Sequence, residues 1–155
     1  MEPTEEVVNS PTAWVAEHIR QYVDSQGEQG HYFNGYPTLL LTTRGRRSGK
    51  MRRTALVYGR RGDDYVVVAS NGGSPRHPLW YLNMTADPRV RVQVGANVFA
   101  AQARTASAEE RPELWEMMTG IFEPYLDYQK GNEREIPVVV LEPAGRPGKR
   151  EEGQR

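Results

Sequence analysis

Apolar positions along this chain change period several times, and each change marks an expected element. Trp14, Val15, His18, Ile19, Tyr22 and Val23 fall three or four apart, the stripe of an amphipathic helix. The spacing predicts a helix that opens near Pro11 behind an Asn9 or Ser10 cap and stops at Gly27. From Pro37 onward the period shortens. Leu39 to Thr43, Thr54 to Tyr58 and Tyr65 to Ser70 read as three β-strands, with Gly59 to Gly62 as a hairpin turn. Residues 71–78 are turn formers, followed by a short helix from Leu79 to Thr85 and a turn at Asp87-Pro88. Val90, Val92 and Val94 alternate with Arg89, Arg91 and Gln93, the signature of a strand with one buried face. Gly95 to Asn97 turns the chain into a further strand, Val98 to Thr105. Ser107 and Glu110 form a capping box ahead of a helix through Leu114, Trp115, Met117 and Met118, with Gly120 as its expected interruption. Ile136 to Leu141 is the last apolar run.

Several of these strands are hairpin-linked and few helices intervene, which argues against a doubly wound parallel sheet. The expected class is α+β: a barrel of about six mostly antiparallel strands with peripheral helices. One domain over residues 11–142 lies between a flexible N-terminus, residues 1–10, and a disordered tail, residues 143–155.

Composition narrows the function. Lys plus Arg and Asp plus Glu both total 20, and this neutral balance argues against a dedicated nucleic-acid partner. There is no cysteine, so disulfides and thiolate-held metals are excluded, and three separated histidines (His18, His31, His77) make a metal site improbable. The N-terminus has no signal-peptide pattern and no apolar run is long enough to span a bilayer. The expected location is cytoplasmic, at most peripheral to a membrane, as a monomer or homodimer. No nucleophile elbow or paired metal ligands suggest hydrolysis, so the chemistry of an enzyme here would belong to a bound cofactor.

The strongest local feature is a basic loop between two strands, where Arg44, Arg46, Arg47, Lys50, Arg52 and Arg53 gather around Gly45, Ser48 and Gly49. Guanidinium forks and glycine backbone suit phosphates or carboxylates. A solvated hairpin loop is the plain alternative, and spacing alone leaves both open. Ser70-Asn71-Gly72-Gly73, directly after a strand, is a second loop able to let backbone approach an anion. His77 and Trp80 read as packing residues, whereas Tyr81 and Asn83 stay undecided. Tyr125 and Tyr128, with Tyr32 and Tyr36, suit either a substrate wall or the core.

The ordered series Leu41-Thr-Thr-Arg-Gly-Arg-Arg-Ser-Gly-Lys-Met-Arg52, Ser70-Asn-Gly-Gly73, His77-Pro-Leu-Trp-Tyr-Leu-Asn83, Asp87-Pro88 and Arg134-Glu-Ile-Pro137 resembles the deazaflavin (F420)-dependent nitroreductases. That family lies within the flavin/deazaflavin split β-barrel superfamily. The resemblance implies that Arg46, Ser48, Lys50, Arg52 and Arg53 hold the phosphate and polyglutamate tail of coenzyme F420. It implies that Thr54, Ala55 and Leu56 meet the deazaflavin ring through backbone groups, although Ala55 stands where the family usually has proline. Ser70, Asn71, Gly72 and Gly73 would complete the phosphate site, with Trp80 and Tyr81 beneath. Tyr125 and Tyr128 resemble the tyrosines of the substrate pocket, where one could donate a proton. The implied activity is hydride transfer to an electron-poor acceptor, whether quinone, nitroaromatic or activated enone. An FMN-dependent split-barrel protein and a non-catalytic deazaflavin-binding module are the alternatives. The cluster of six basic residues favours an anionic tail longer than the single phosphate of FMN.

Overall fold

The computed structural model describes residues 7–9, 13–33 and 35–144. In chain order these form β1 (Val7–Asn9), α1 (Ala13–Asp24), β2 (Tyr32–Phe33), β3 (Tyr36–Arg44), β4 (Met51–Val57), β5 (Gly59–Arg61) and β6 (Asp64–Val68). A one-turn helix at Asn71–Gly73 precedes α2 (Leu79–Ala86), β7 (Arg89–Val94) and β8 (Asn97–Thr105). The chain closes with α3 (Arg111–Ile121), α4 (Pro124–Lys130) and β9 (Val138–Pro143).

The strand order is β1-β4-β3-β7-β8-β9-β6-β5, with β2 paired to β3. All pairings are antiparallel except β1 with β4. Tyr58 alone separates β4 from β5, yet the two stand near opposite ends of that order. The sheet therefore has to curl round on itself, as a split barrel does.

Side-chain alternation sorts the core into layers. Leu39 and Leu41 of β3, Val67 of β6 and Val139 and Leu141 of β9 face inward and pack with Val90, Val92, Trp80 and Met84. Their neighbours point outward. Val66, Val68, Val138 and Val140 bury against Leu114 and Met118 of α3 and Tyr125 of α4, and Leu40 buries against Ile19 and Tyr22 of α1. Strands covered on both faces read as continuous apolar runs for this reason. Each such buried aliphatic side chain contributes about 1.5–3 kcal/mol.

Helix α1 ends in a Schellman turn: the Gly27 N–H donates to Tyr22 O at 2.8 Å and the Gln26 N–H to Val23 O at 3.2 Å. A Cβ on Gly27 would stand 2.3 Å from the Cα of Gly95, so this glycine lets the helix end touch the β7–β8 turn.

Several expectations need correction. The six expected strands are all present, but three short ones join them. β1 falls in the segment read as flexible, β2 precedes β3, and β5 occupies part of the expected hairpin turn, which tightens to Gly62-Asp63. Pro143, expected to open the tail, ends β9. Ser10, Pro11 and residues 145–155 lie outside the described residues. Gly120 is helical. The break comes after Ile121, because Pro124 lacks the N–H to continue the ladder and instead takes a first-turn position of α4. The Ser107–Glu110 box is formed by reciprocal bonds of 2.8 and 3.2 Å. Glu110 also accepts from Arg61 at 2.7 Å and from Arg104. That pairing with Arg104 holds its carboxyl well below the usual range.

Candidate cofactor site

Strand directions bring the two loops singled out in the sequence to one end of the barrel. From β3 through β7, β8 and β9 to β6 there are four antiparallel steps, so β3, β8 and β6 run the same way. The basic loop after β3 and the Ser70–Gly73 loop after β6 therefore emerge together, beside Thr105 at the end of β8.

The basic loop is a tight turn with its cations outside. The Gly45 N–H donates to Lys50 O at 2.7 Å and the Gly49 N–H to Gly45 O at 2.8 Å, closing the turn on itself. Ser48 Oγ accepts from the Lys50 N–H at 3.1 Å. Arg46, Arg47, Ser48, Lys50 and Arg52 are exposed. What seats the loop is Asn83 of α2, a buried side chain. Its Oδ1 accepts from the Arg46 N–H at 3.1 Å and its Nδ2 donates to Thr43 Oγ1 at 3.2 Å.

Alternation divides the expected ring-binding strand. Leu56 faces the barrel core, so Thr54 and Arg52 lie on the same side. Ala55 packs with the α1 layer, which places Arg53 on the outer face. There Arg53 and Arg91 flank Thr42 in register, and burial and the neighbouring Arg91 lower the Arg53 guanidinium's pKa. Among the described residues β1 pairs with β4 only as far as Arg53. Among the described residues no strand pairs with the outer edge of β4 from Thr54 to Val57.

In the second loop a right-handed Ser70 (φ −80°, ψ −29°) leads into Asn71, Gly72 and Gly73 at φ 53°, 63° and 87°. A right-handed residue followed by a positive-φ one turns consecutive N–H groups toward one side, a known anion concavity. Gly73 lies against Tyr128, whose Cδ1 would be 2.9 Å from any added Cβ. Trp80 is buried in the inner core. Tyr81 packs against His77 with ring centroids 4.8 Å apart and planes tilted by 42°, and shares a 2.8 Å hydrogen bond with Thr105 Oγ1. His77 has its pKa lowered by burial and by Arg134.

The two tyrosines differ in kind. Tyr125 is 5% exposed among Trp115, Phe122 and Tyr128, and burial pushes its phenol up. Tyr128 is half-buried and reaches the Ser70–Gly73 loop through Gly73. Tyr36 meets Phe122 at 4.9 Å, so an aromatic row runs from Tyr36 through Phe122 to Tyr128. Tyr32 stands apart, against His31.

The profile of the F420H(2)-dependent quinone reductase family matches residues 14–143. The chain belongs to this family. An F420H(2)-dependent quinone reductase of Mycobacterium tuberculosis is 39% identical over 128 residues, covering 80% of this chain and 86% of that protein. A solved F420-H2 dependent reductase is 41% identical with a TM-score of 0.64, covering 68% of this chain and 94% of the other. A structure described as a domain-swapped dimer is 37% identical with a TM-score of 0.67, covering 86% and 100%. The chain is thus an F420-dependent oxidoreductase on a split β-barrel, and coenzyme F420 is its cofactor.

The residues present fit that group. An exposed cluster of guanidinium and ammonium groups suits an anionic tail, the Ser70–Asn71 concavity suits a phosphate, and the open edge of β4 offers backbone groups to a planar ring. Among the described residues of the reductase no cluster of His, Cys, Asp or Glu could hold a metal ion. No helix among them is long and apolar enough to cross a membrane. The sequence left Asn83 undecided and gave Arg134 no role beyond its motif. Asn83 was open to discovery as an amide inside an apolar helix, a group that needs partners when buried.

Proposed function

We propose that the reductase transfers a hydride from reduced F420 to a quinone, with the cofactor held between its basic loop and its Ser70–Gly73 loop. The observation that carries this reading is that both loops leave the barrel at the same end, with the outer edge of β4 from Thr54 to Val57 unpaired among the described residues. Arg46, Lys50 and Arg52 bind the phosphate and tail carboxylates, with Ser48 and the Ser70–Gly73 turn, through its Asn71 and Gly72 N–H groups, completing the anion site. Arg53 contributes charge from the outer face. Thr54, Ala55 and Leu56 offer their free backbone edge to the ring. Trp80 and Tyr81, on α2, pack beneath the phosphate site. When bound, F420 supplies a two-electron donor in its reduced deazaflavin ring.

The remaining work belongs to the chain. Tyr128 and Phe122 give a planar acceptor an aromatic wall beside the Ser70–Gly73 loop, and Tyr125 backs that wall from the core. Orientation of ring and acceptor and exclusion of water are the protein's main contributions. Quinone reduction by hydride also needs a proton. Solvent or the half-buried Tyr128 delivers it more readily than the enclosed phenol of Tyr125. The quinone reductase activity named for its relative favours a quinone over a nitroaromatic or enone acceptor, and the domain-swapped relative favours a homodimer.

The test is a fluorescence titration of the purified protein with oxidised F420 and then FMN, beside Arg52→Ala and Ser48→Ala. F420 is expected to bind more tightly than FMN, with Arg52→Ala weakening it about tenfold or more. A preference for FMN, or indifference to both variants, would overturn the site.

A further inference from the structure

The Ser70–Ser74 turn has an unusual support. Gly72 and Gly73 take positive φ freely, but the non-glycine Asn71 ahead of them does so as well, a conformation its surroundings help to hold. Arg134, on the connection between α4 and β9, spans that turn with one planar group. Its Nη2 donates to Ser70 O at 3.0 Å and to Ser74 O at 2.9 Å, and its Nε donates to Ser74 O at 3.2 Å. Nη1 lies 3.5 Å from Ala69 O and 3.2 Å from Nδ1 of His77. The turn is thereby fastened at its entry and its exit by the same fork.

The segment carrying Arg134 is itself fixed. Gln129 of α4 donates to Arg134 O at 2.9 Å and accepts from the Ile136 N–H at 2.8 Å. Asn132 donates to Gly73 O at 2.8 Å and to Tyr128 O at 3.0 Å. One short connection thus secures both the turn assigned to the cofactor's anion and the helix that carries Tyr128.

We infer that Arg134 is a positioning residue for cofactor binding, acting through the Ser70–Ser74 turn by spanning its two ends. This rests on the assignment of that turn to F420. It predicts that geometry matters beyond charge: a lysine keeps the cation but has one nitrogen where the guanidinium uses three, so it cannot hold Ser70 O and Ser74 O from Nη2 while Nε and Nη1 secure Ser74 O and the Ala69–His77 side.

The test compares Arg134→Lys and Arg134→Met with the unaltered protein and with Arg52→Ala. The readouts are the affinity for oxidised F420 by fluorescence, and kcat and KM with menadione as acceptor at a temperature where circular dichroism shows all variants folded. Both Arg134 variants are expected to weaken F420 about tenfold, raising the cofactor's KM while kcat at saturating F420 stays within about threefold. Restoration of full affinity by lysine would overturn the inference in favour of charge alone. Unchanged affinity in both variants, with Arg52→Ala impaired, would also overturn it while leaving the basic-loop site standing. Unchanged affinity in Arg52→Ala as well would instead defeat the site assignment itself. Should Arg134→Met not fold, Asn132→Ala takes its place beside Arg134→Lys. It removes the bond to Gly73 O, and its expected effect is a smaller loss of the same kind.

Discussion

At the scale of single residues, a half-buried histidine sets a pH dependence. His31 sits between two phenols, with Nδ1 3.3 Å from Tyr22 Oη and Nε2 3.2 Å from Tyr58 Oη. Tyr22 Oη donates to Thr38 O, which leaves Nδ1 as the donor toward Tyr22 and Nε2 as the acceptor from Tyr58. That arrangement uses the neutral ring, and burial lowers its pKa below the usual 6.5. A lowered folded-state value means that the unfolded chain binds the proton first. The stabilisation is therefore complete above about pH 6.5 and is lost as pH falls through the depressed folded value. His77 shifts in the same direction and adds to the effect. Melting temperature is expected to fall between about pH 7.5 and about pH 5, and to fall less in His31→Gln. An identical acid slope in the variant would assign the dependence elsewhere.

At the scale of elements, α2 is the part that turns two loops into one site. It follows the Ser70–Gly73 loop directly, and through Asn83 it grips the basic loop from the other side. Asn83→Ala removes the acceptor for the Arg46 N–H and the donor to the buried Thr43 hydroxyl, a loss of about 1–2 kcal/mol in stability. Affinity for F420 is expected to drop severalfold, because the basic loop loses its seat while keeping every cation. Chemical denaturation and cofactor titration on the same variant check both halves. Unchanged affinity despite lost stability would make the amide purely structural.

The elements also show where the sequence was legible. β3, β6 and β9 announced themselves because both of their faces are covered, and α1 because only one of its faces is. β1, β2 and β5 have two or three residues each. That is too few for any period, and only pairing with a longer neighbour makes them strands. The basic loop and Ser70-Asn-Gly-Gly73 were visible as composition and as family resemblance, yet their meeting was not, since it depends on strand order. Arg134 was visible as a motif residue without a role. Its partners are carbonyls more than fifty positions away, and backbone carbonyls leave no trace in composition. Tyr125 and Tyr128 looked equivalent because spacing three apart puts both on one face of α4. Only the packing of α4 on α3 decides which of them is enclosed.

For the whole molecule, the anchoring of α1 and the proposed anion site for the cofactor's phosphate and tail lie at opposite ends of the barrel. β3 has nine residues, so its ends stand roughly 26 Å apart. Arg44 and the basic loop lie at one end. Tyr22, His31, Thr38 and Tyr58 lie at the other, where Tyr22 ties α1 to the barrel. Its hydroxyl donates to Thr38 O at 2.9 Å and accepts from the Gly95 N–H at 2.7 Å, and burial pushes its pKa up to about 12. Tyr22→Phe keeps the ring and deprives both backbone groups of their partner, which costs about 2 kcal/mol. Substitutions so far apart with no shared partner act independently. Tyr22→Phe is therefore expected to lower the melting temperature by several degrees while leaving F420 affinity intact. Arg52→Ala, exposed at the other end, should weaken F420 while leaving the melting temperature intact, and the double variant should show both losses at their single-variant size. A Tyr22→Phe protein that bound F420 poorly would mean that the docking of α1 reaches across the barrel to the site, through the outer face of β4 where Ala55 touches it.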